Sequence, residues 1–232
     1  MRRLCLTLLM GFGLSAAAQA ADMPVKAPVA VAPVYNWTGC YLGGNAGYGW
    51  GRDHYTFVPV LDEGSHSLRG FVGGGQIGCD YQFASNWVIG IQGMFDGAAM
   101  RGDHNLTTAP PINDETRVRW FGTATGRIGY LVAPTALLYA KAGGAWLRED
   151  YNESFLGTFR GAASTTRSGW TIGGGLEWMF ARNWSVFVEY DYFGLGTKRL
   201  SIPGPIAGPN TYDIKQDINV VLIGLNYRFG GL

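Results

Sequence analysis

Apolar residues recur at every second position in runs of about ten, separated by polar stretches. In 168–180, Trp170, Ile172, Leu176, Trp178 and Phe180 share one phase, and Thr171, Gly173, Gly175 and Glu177 share the other. In 218–229, Val221, Ile223, Leu225, Tyr227 and Phe229 oppose Gly224, Asn226 and Arg228; in 183–193, Val186, Val188, Tyr190 and Tyr192 oppose Ser185, Glu189 and Asp191. A period of two marks a strand whose faces meet different media, and segments of this length suit an outer-membrane strand. Eight such runs are predicted, at about 37–50, 68–83, 86–96, 119–130, 136–147, 168–180, 184–193 and 217–229.

The connections alternate in length. Short turns are expected at 84–85, 131–135 and 181–183, and long polar loops at 51–67, 97–118, 148–167 and 194–216. Short turns at one end and long loops at the other are how outer-membrane barrels are strung. The predicted fold is all-β: an eight-stranded antiparallel transmembrane β-barrel after a cleaved signal peptide.

Residues 1–20 are read as that peptide: Arg2 and Arg3 open it, Leu4–Leu14 is apolar, and Ala18-Gln19-Ala20 is an A-x-A cleavage site. The stretch 21–36, with Pro24, Pro28 and Pro33, is expected to be an extended, Pro-rich periplasmic tail. The barrel then occupies 37–232, with no further domain expected after it.

Energetics sets the facing. An Arg or Lys on the lipid side near the midplane costs about 2–4 kcal/mol. With the aromatic-rich phases outward, Asp80, Asp96, Arg127, Lys141, Glu177, Glu189, Asp191 and Arg228 all point into the lumen. Trp37, Trp87, Tyr130, Trp146, Trp184, Tyr192, Tyr227 and Phe229 fall near strand ends, where aromatic girdles sit. The interior of an eight-stranded barrel is just wide enough for side chains to fill. The charges are therefore expected to pair, Lys141 with Glu189 in a middle layer and Arg127 with Glu177 nearer the periplasm. They form either a structural plug or the lining of a narrow pore.

Gly73, Gly75 and Gly78 spell G-x-G-x-x-G, the dinucleotide fingerprint. That motif requires a helix after it, and here a two-residue turn leads straight into another strand. The glycines are instead read as letting a curved sheet bend and neighbouring strands approach.

Composition narrows the function classes. The 232 residues include 36 glycines, aromatics make up 14% and charged residues 15%, and the net charge is +1. Basic residues form no run, so no nucleic-acid surface is expected. His54, His66 and His104 all fall in the first two long loops, which leaves the strands without a Ser–His site and offers a metal only a poor ligand set. No catalysis and no cofactor is expected.

The stretch YNWTGCYLGGNAGYGWG (35–51), followed in order by GFVGGGQIGCDYQ, RWFGTATGRIGY, LLYAKAGGAW, GWTIGGGLEW, NWSVFVEYDYF and GLNYRF, resembles the alphaproteobacterial outer-membrane immunogenic protein family. These are small porin-like barrels related to the OmpA-like transmembrane domain, and the resemblance covers essentially 35–229. It implies an abundant outer-membrane protein supporting envelope integrity and facing the host. The implied alternatives are a small diffusion channel and a loop-borne adhesin. The implied partners are outer-membrane lipids and lipopolysaccharide, the barrel-assembly machinery and periplasmic chaperones, and host or surface ligands at loops 97–118 and 194–216. The family's terminal aromatic corresponds to Phe229, followed here by Gly230-Gly231-Leu232. Where the family tends to carry aromatics, this chain has Cys40 and Cys79, in outward phases near the periplasmic ends of adjacent strands. They are either two small apolar residues facing lipid or a cross-strand disulfide, which the periplasm permits.

Overall fold

The computed structural model describes residues 35–57, 61–105, 112–155, 158–203 and 209–229. The expected signal peptide, nearly all of the expected Pro-rich tail and Gly230–Leu232 lie outside the described residues. Eight strands run β1 (Gly39–Phe57), β2 (Leu61–Phe83), β3 (Trp87–Asn105), β4 (Ile112–Ala133), β5 (Ala136–Phe155), β6 (Thr158–Ala181), β7 (Trp184–Pro203) and β8 (Pro209–Phe229). Each pairs antiparallel with the next, and β1 also pairs with β8, so the sheet closes into a barrel. Closure leaves no strand edge unpaired, the condition for crossing a bilayer with strands. Cys40 pairs with Phe229, so both ends of the barrel lie on the short-turn side.

The strands start and stop at the short turns much as the alternation predicts. At the other end they do not. Segments 51–67, 97–118, 148–167 and 194–216, expected to be long loops, are largely strand, because all four hairpins continue far past the alternating pattern. The reason is physical. Alternation records a lumen on one face and lipid on the other, whereas the backbone ladder needs only a partner strand and continues into water. The handover is marked by register shifts at Gly97/Met100, Val118/Trp120 and Gly194/Thr197, and such bulges are frequent at barrel rims.

The outer face is apolar, with Phe71 75% and Ile91 69% exposed. Exposed Trp87, Tyr130, Trp184 and Tyr227 form the lower girdle, with edge-to-face pairs Trp87–Tyr130 and Trp184–Tyr227 at 5.2 and 5.0 Å. Trp50, Trp146 and Trp170 stand in the upper one. Trp37 departs from the expected girdle. It lies just before β1, is fully buried, and caps the lumen from below, its indole N–H donating to the Pro134 carbonyl at 3.2 Å.

The G-x-G-x-x-G glycines lie inside β2, with a turn and then β3 after them. Gly78 faces inward, and a Cβ there would collide with the Tyr41 ring. Gly173 makes the same room for the Asp191 carboxylate. Inward glycines are thus the floor on which the lumen's large side chains lie.

Candidate functional site

Among the described residues the buried polar chemistry is concentrated in the lumen, which is built in layers. At the periplasmic end Trp37, Val88, Leu131, Leu137 and Met179 pack into an apolar cap. β3, β4, β5 and β6 deliver most of it from positions at the short turns, with the phase that faces inward.

Above the cap lies a closed ring of four charges. Arg127 binds Asp80 through Nε at 2.7 Å and through Nη2, and binds Glu177 at 3.2 Å. Arg228 closes the ring, 2.8 Å from Asp80 and 2.9 Å from Glu177. Two guanidinium groups and two carboxylates leave no net charge, and each carboxylate is held by both arginines. Ser185 and Asn226 donate to Glu177 at 2.6 and 3.0 Å, and Gln76 donates to Asn226 at 2.7 Å. Aromatic faces roof the cations: Tyr41 and Tyr139 lie 4.7 and 5.0 Å from Arg127, and Trp37 lies 4.6 Å from Arg228. Arg is suited to this, since its planar fork matches carboxylates and stacks on rings.

The next layer centres on Lys141, 2.6 Å from Glu189 and 3.0 Å from Asp191. The Tyr139 hydroxyl donates to Glu189 at 2.7 Å, and Lys141 reaches Gln92 at 3.4 Å. Asp96 is buried at the upper margin of this layer. All these charged groups are at most 5% exposed.

A second apolar zone follows. Val72, Met100, Phe121, Leu147, Phe193 and Ile218 belong to one buried cluster, with Phe121 and Phe193 edge-to-face at 5.2 Å. Above it Arg167 and Glu149 lie 3.8 Å apart, bridged by Gln216, which accepts from Arg167 at 3.3 Å and donates to Glu149.

The structure therefore brings Arg127, Glu177 and Arg228 together in one layer and Lys141, Glu189 and Asp191 in another. Tyr41 and Tyr139 face the lumen too, against the outward assignment of aromatics. Their phase carries the signal, since Tyr139 shares the phase of Lys141 and Tyr41 lies between outward-facing Cys40 and Leu42. Glu149, Arg167 and Gln216 stand where the sequence predicts loops, and the apolar zone has no counterpart in the alternation.

Cys40 and Cys79 are register partners on the outer face of β1 and β2, and the structure joins them as a disulfide with Cα atoms 3.9 Å apart. The backbones of His54, His66 and His104 lie in β1, β2 and β3, while their side chains fall outside the described residues. Among the described residues no group of three His, Cys, Asp or Glu side chains is placed to hold a metal.

A family model described as an outer membrane protein beta-barrel domain matches residues 5–229. The 31 kDa outer-membrane immunogenic protein of Brucella melitensis biotype 1 is 33% identical, with 91% of this chain and 93% of the relative covered. The 25 kDa outer-membrane immunogenic protein of Brucella abortus biovar 1 is 31% identical, with 93% and 92% covered. Among solved structures, OprG from Pseudomonas aeruginosa superposes with a TM-score of 0.60 over 86% of this chain and 100% of its own, at 13% identity, a likeness of fold. With its closed eight-stranded barrel, lipid-facing apolar band and filled lumen, this chain belongs to the family of outer-membrane β-barrel proteins that includes the Brucella outer-membrane immunogenic proteins, and it resides in the outer membrane.

Proposed function

We propose that this protein is a sealed, structural barrel that supports the envelope and presents hairpins at the cell surface. One observation carries the reading: the Arg127–Asp80–Arg228–Glu177 ring and the Lys141–Glu189–Asp191 layer lie between an apolar cap and an apolar zone. A conducting path needs a continuous line of water past fixed charges. Here the charges neutralise one another in the lower ring, and the buried Phe121–Phe193 pair lies above them. This arrangement favours a plug over a small diffusion channel.

A surface role is the second part. The relatives named as immunogenic proteins and the hairpins that rise past the upper girdle together support a surface antigen, with 97–118 and 194–216 as the segments offered to host or surface ligands. Phe229, closing β8 against β1, is the residue that the barrel-assembly machinery would read, with periplasmic chaperones carrying the unfolded chain to it.

Solute flux tests the seal. Proteoliposomes holding the refolded protein should swell no faster in small sugars than protein-free vesicles, and swelling graded by sugar size would assign the protein to the diffusion channels.

A further inference from the structure

Arginines gather on the outside of the barrel at the upper aromatic girdle, where Arg69 is the register partner of Trp50. Arg69 of β2 pairs with Arg101 of β3, and Arg101 pairs in turn with Arg117 of β4. Three adjacent strands thus place an arginine on one rung. Arg119 and Arg148 stand next to it, both exposed.

Like charges directly opposite on neighbouring strands destabilise a sheet, so the Arg69–Arg101 pair calls for an anion. Among the described residues the acid beside the rung is Asp150, which is the register partner of Arg117 on β5 and which Arg119 engages at 2.7 Å. Arg148 donates to Ser164 at 3.1 Å. Arg69 and Arg101 are exposed and make no ion pair with any described residue.

What lies below the rung identifies the class of anion. Phe71, two residues down β2 from Arg69, is at 75% the most exposed large apolar side chain among the described residues. On the same side Phe95 and Trp120 stack at 5.3 Å. Phosphate above and hydrocarbon below describe one molecule, an amphiphile seated in the outer leaflet. Arg presents paired N–H groups that match phosphate oxygens, and the level of the girdle is that of headgroups.

We infer that the Arg69–Arg101 rung, flanked by Arg117, is a binding strip for the phosphate groups of an outer-leaflet glycolipid whose acyl chains lie along Phe71 and Phe95. The strip deepens the outer-membrane assignment and is independent of whether the lumen is sealed. Binding here would tie the bases of the β1–β2 and β3–β4 hairpins to the leaflet from which they rise.

The test compares lipid retention. The full chain is refolded with a bis-phosphorylated glycolipid or with its dephosphorylated counterpart of the same acyl chains. It is then washed in detergent, and bound lipid is counted by mass spectrometry. The wild type should retain the phosphorylated form preferentially, and Arg69→Gln/Arg101→Gln should retain about tenfold less. Arg182→Gln, at the opposite end of the barrel, should match the wild type. Folding of each variant is checked by its heat-sensitive gel shift. Should the double variant fail to fold, the wild-type comparison of the two lipids decides alone. Equal retention of both lipids by the wild type, or undiminished retention by a folded double variant, overturns the proposal. Displacement of the glycolipid by millimolar inorganic phosphate would also overturn it, assigning the strip to free anions.

Discussion

The two halves of the lumen are filled by opposite chemistries. Near the periplasm Arg127, Asp80, Arg228 and Glu177 close a ring of ion pairs. Toward the surface Phe121, Phe193 and Leu147 pack as an ordinary core. The apolar half gains from every methylene removed from water. The ionic half is different, because desolvating charges offsets much of their attraction. What the ring supplies is geometry: each carboxylate fixes two arginines from different strands, so the strands cannot slip in register without breaking several contacts together. A one-residue slip would turn every side chain of a strand to the other face. The lower half therefore specifies the barrel, and the upper half seals it.

The largest expected effect breaks the ring. Glu177→Ala leaves Arg127 and Arg228 to share Asp80, and removing one partner of a buried pair typically costs about 3–5 kcal/mol. Urea unfolding in lipid vesicles should show a midpoint shift of that size, and an unchanged midpoint would remove the specifying role. Next comes the staple on the outer face. Cys40→Ser/Cys79→Ser opens a link with a sequence separation of 39, and the same titration should lose about 2–4 kcal/mol. The wild type under reductant before refolding should behave alike.

Smaller changes sharpen the contrast between the halves. Leu147→Met, a nearly volume-conserving swap within the apolar half, should cost less than about 1.5 kcal/mol. Glu177→Gln, nearly isosteric in the ionic half, should cost clearly more. If the two cost the same, the halves are not chemically distinct. The smallest effect lies outside both. Ala84 holds φ 53° in the turn between β2 and β3, a left-handed conformation that disfavours a residue bearing Cβ. Ala84→Gly should raise stability by about 1 kcal/mol, read as a later urea midpoint.

How much of this was legible depended on what each residue's surroundings impose. Strand number, order and the short turns were legible because lipid on one side and lumen on the other enforce alternation, as in Trp170–Phe180. The inward charges were legible because Arg228 and Glu189 cannot face hydrocarbon. The hairpin extensions were not, since NDETR (113–117) continues β4 with no apolar phase to announce it. Nor was the apolar zone, since Phe121 and Phe193 satisfy either face, and only the register of neighbouring strands decides between them. Trp37 shows the same ambiguity at the other end: a tryptophan at a strand terminus suits a girdle, and here it covers Arg228 instead.

The seal is the property on which the proposed role rests. A planar bilayer holding the refolded protein, with folding shown by its heat-sensitive gel shift, measures it directly. Steady baseline current across a range of voltages is the result predicted by the enclosed charge layers. Reproducible unitary steps, altered by Lys141→Ala or Glu189→Ala, would contradict it and show that water runs past the ring and through the apolar zone.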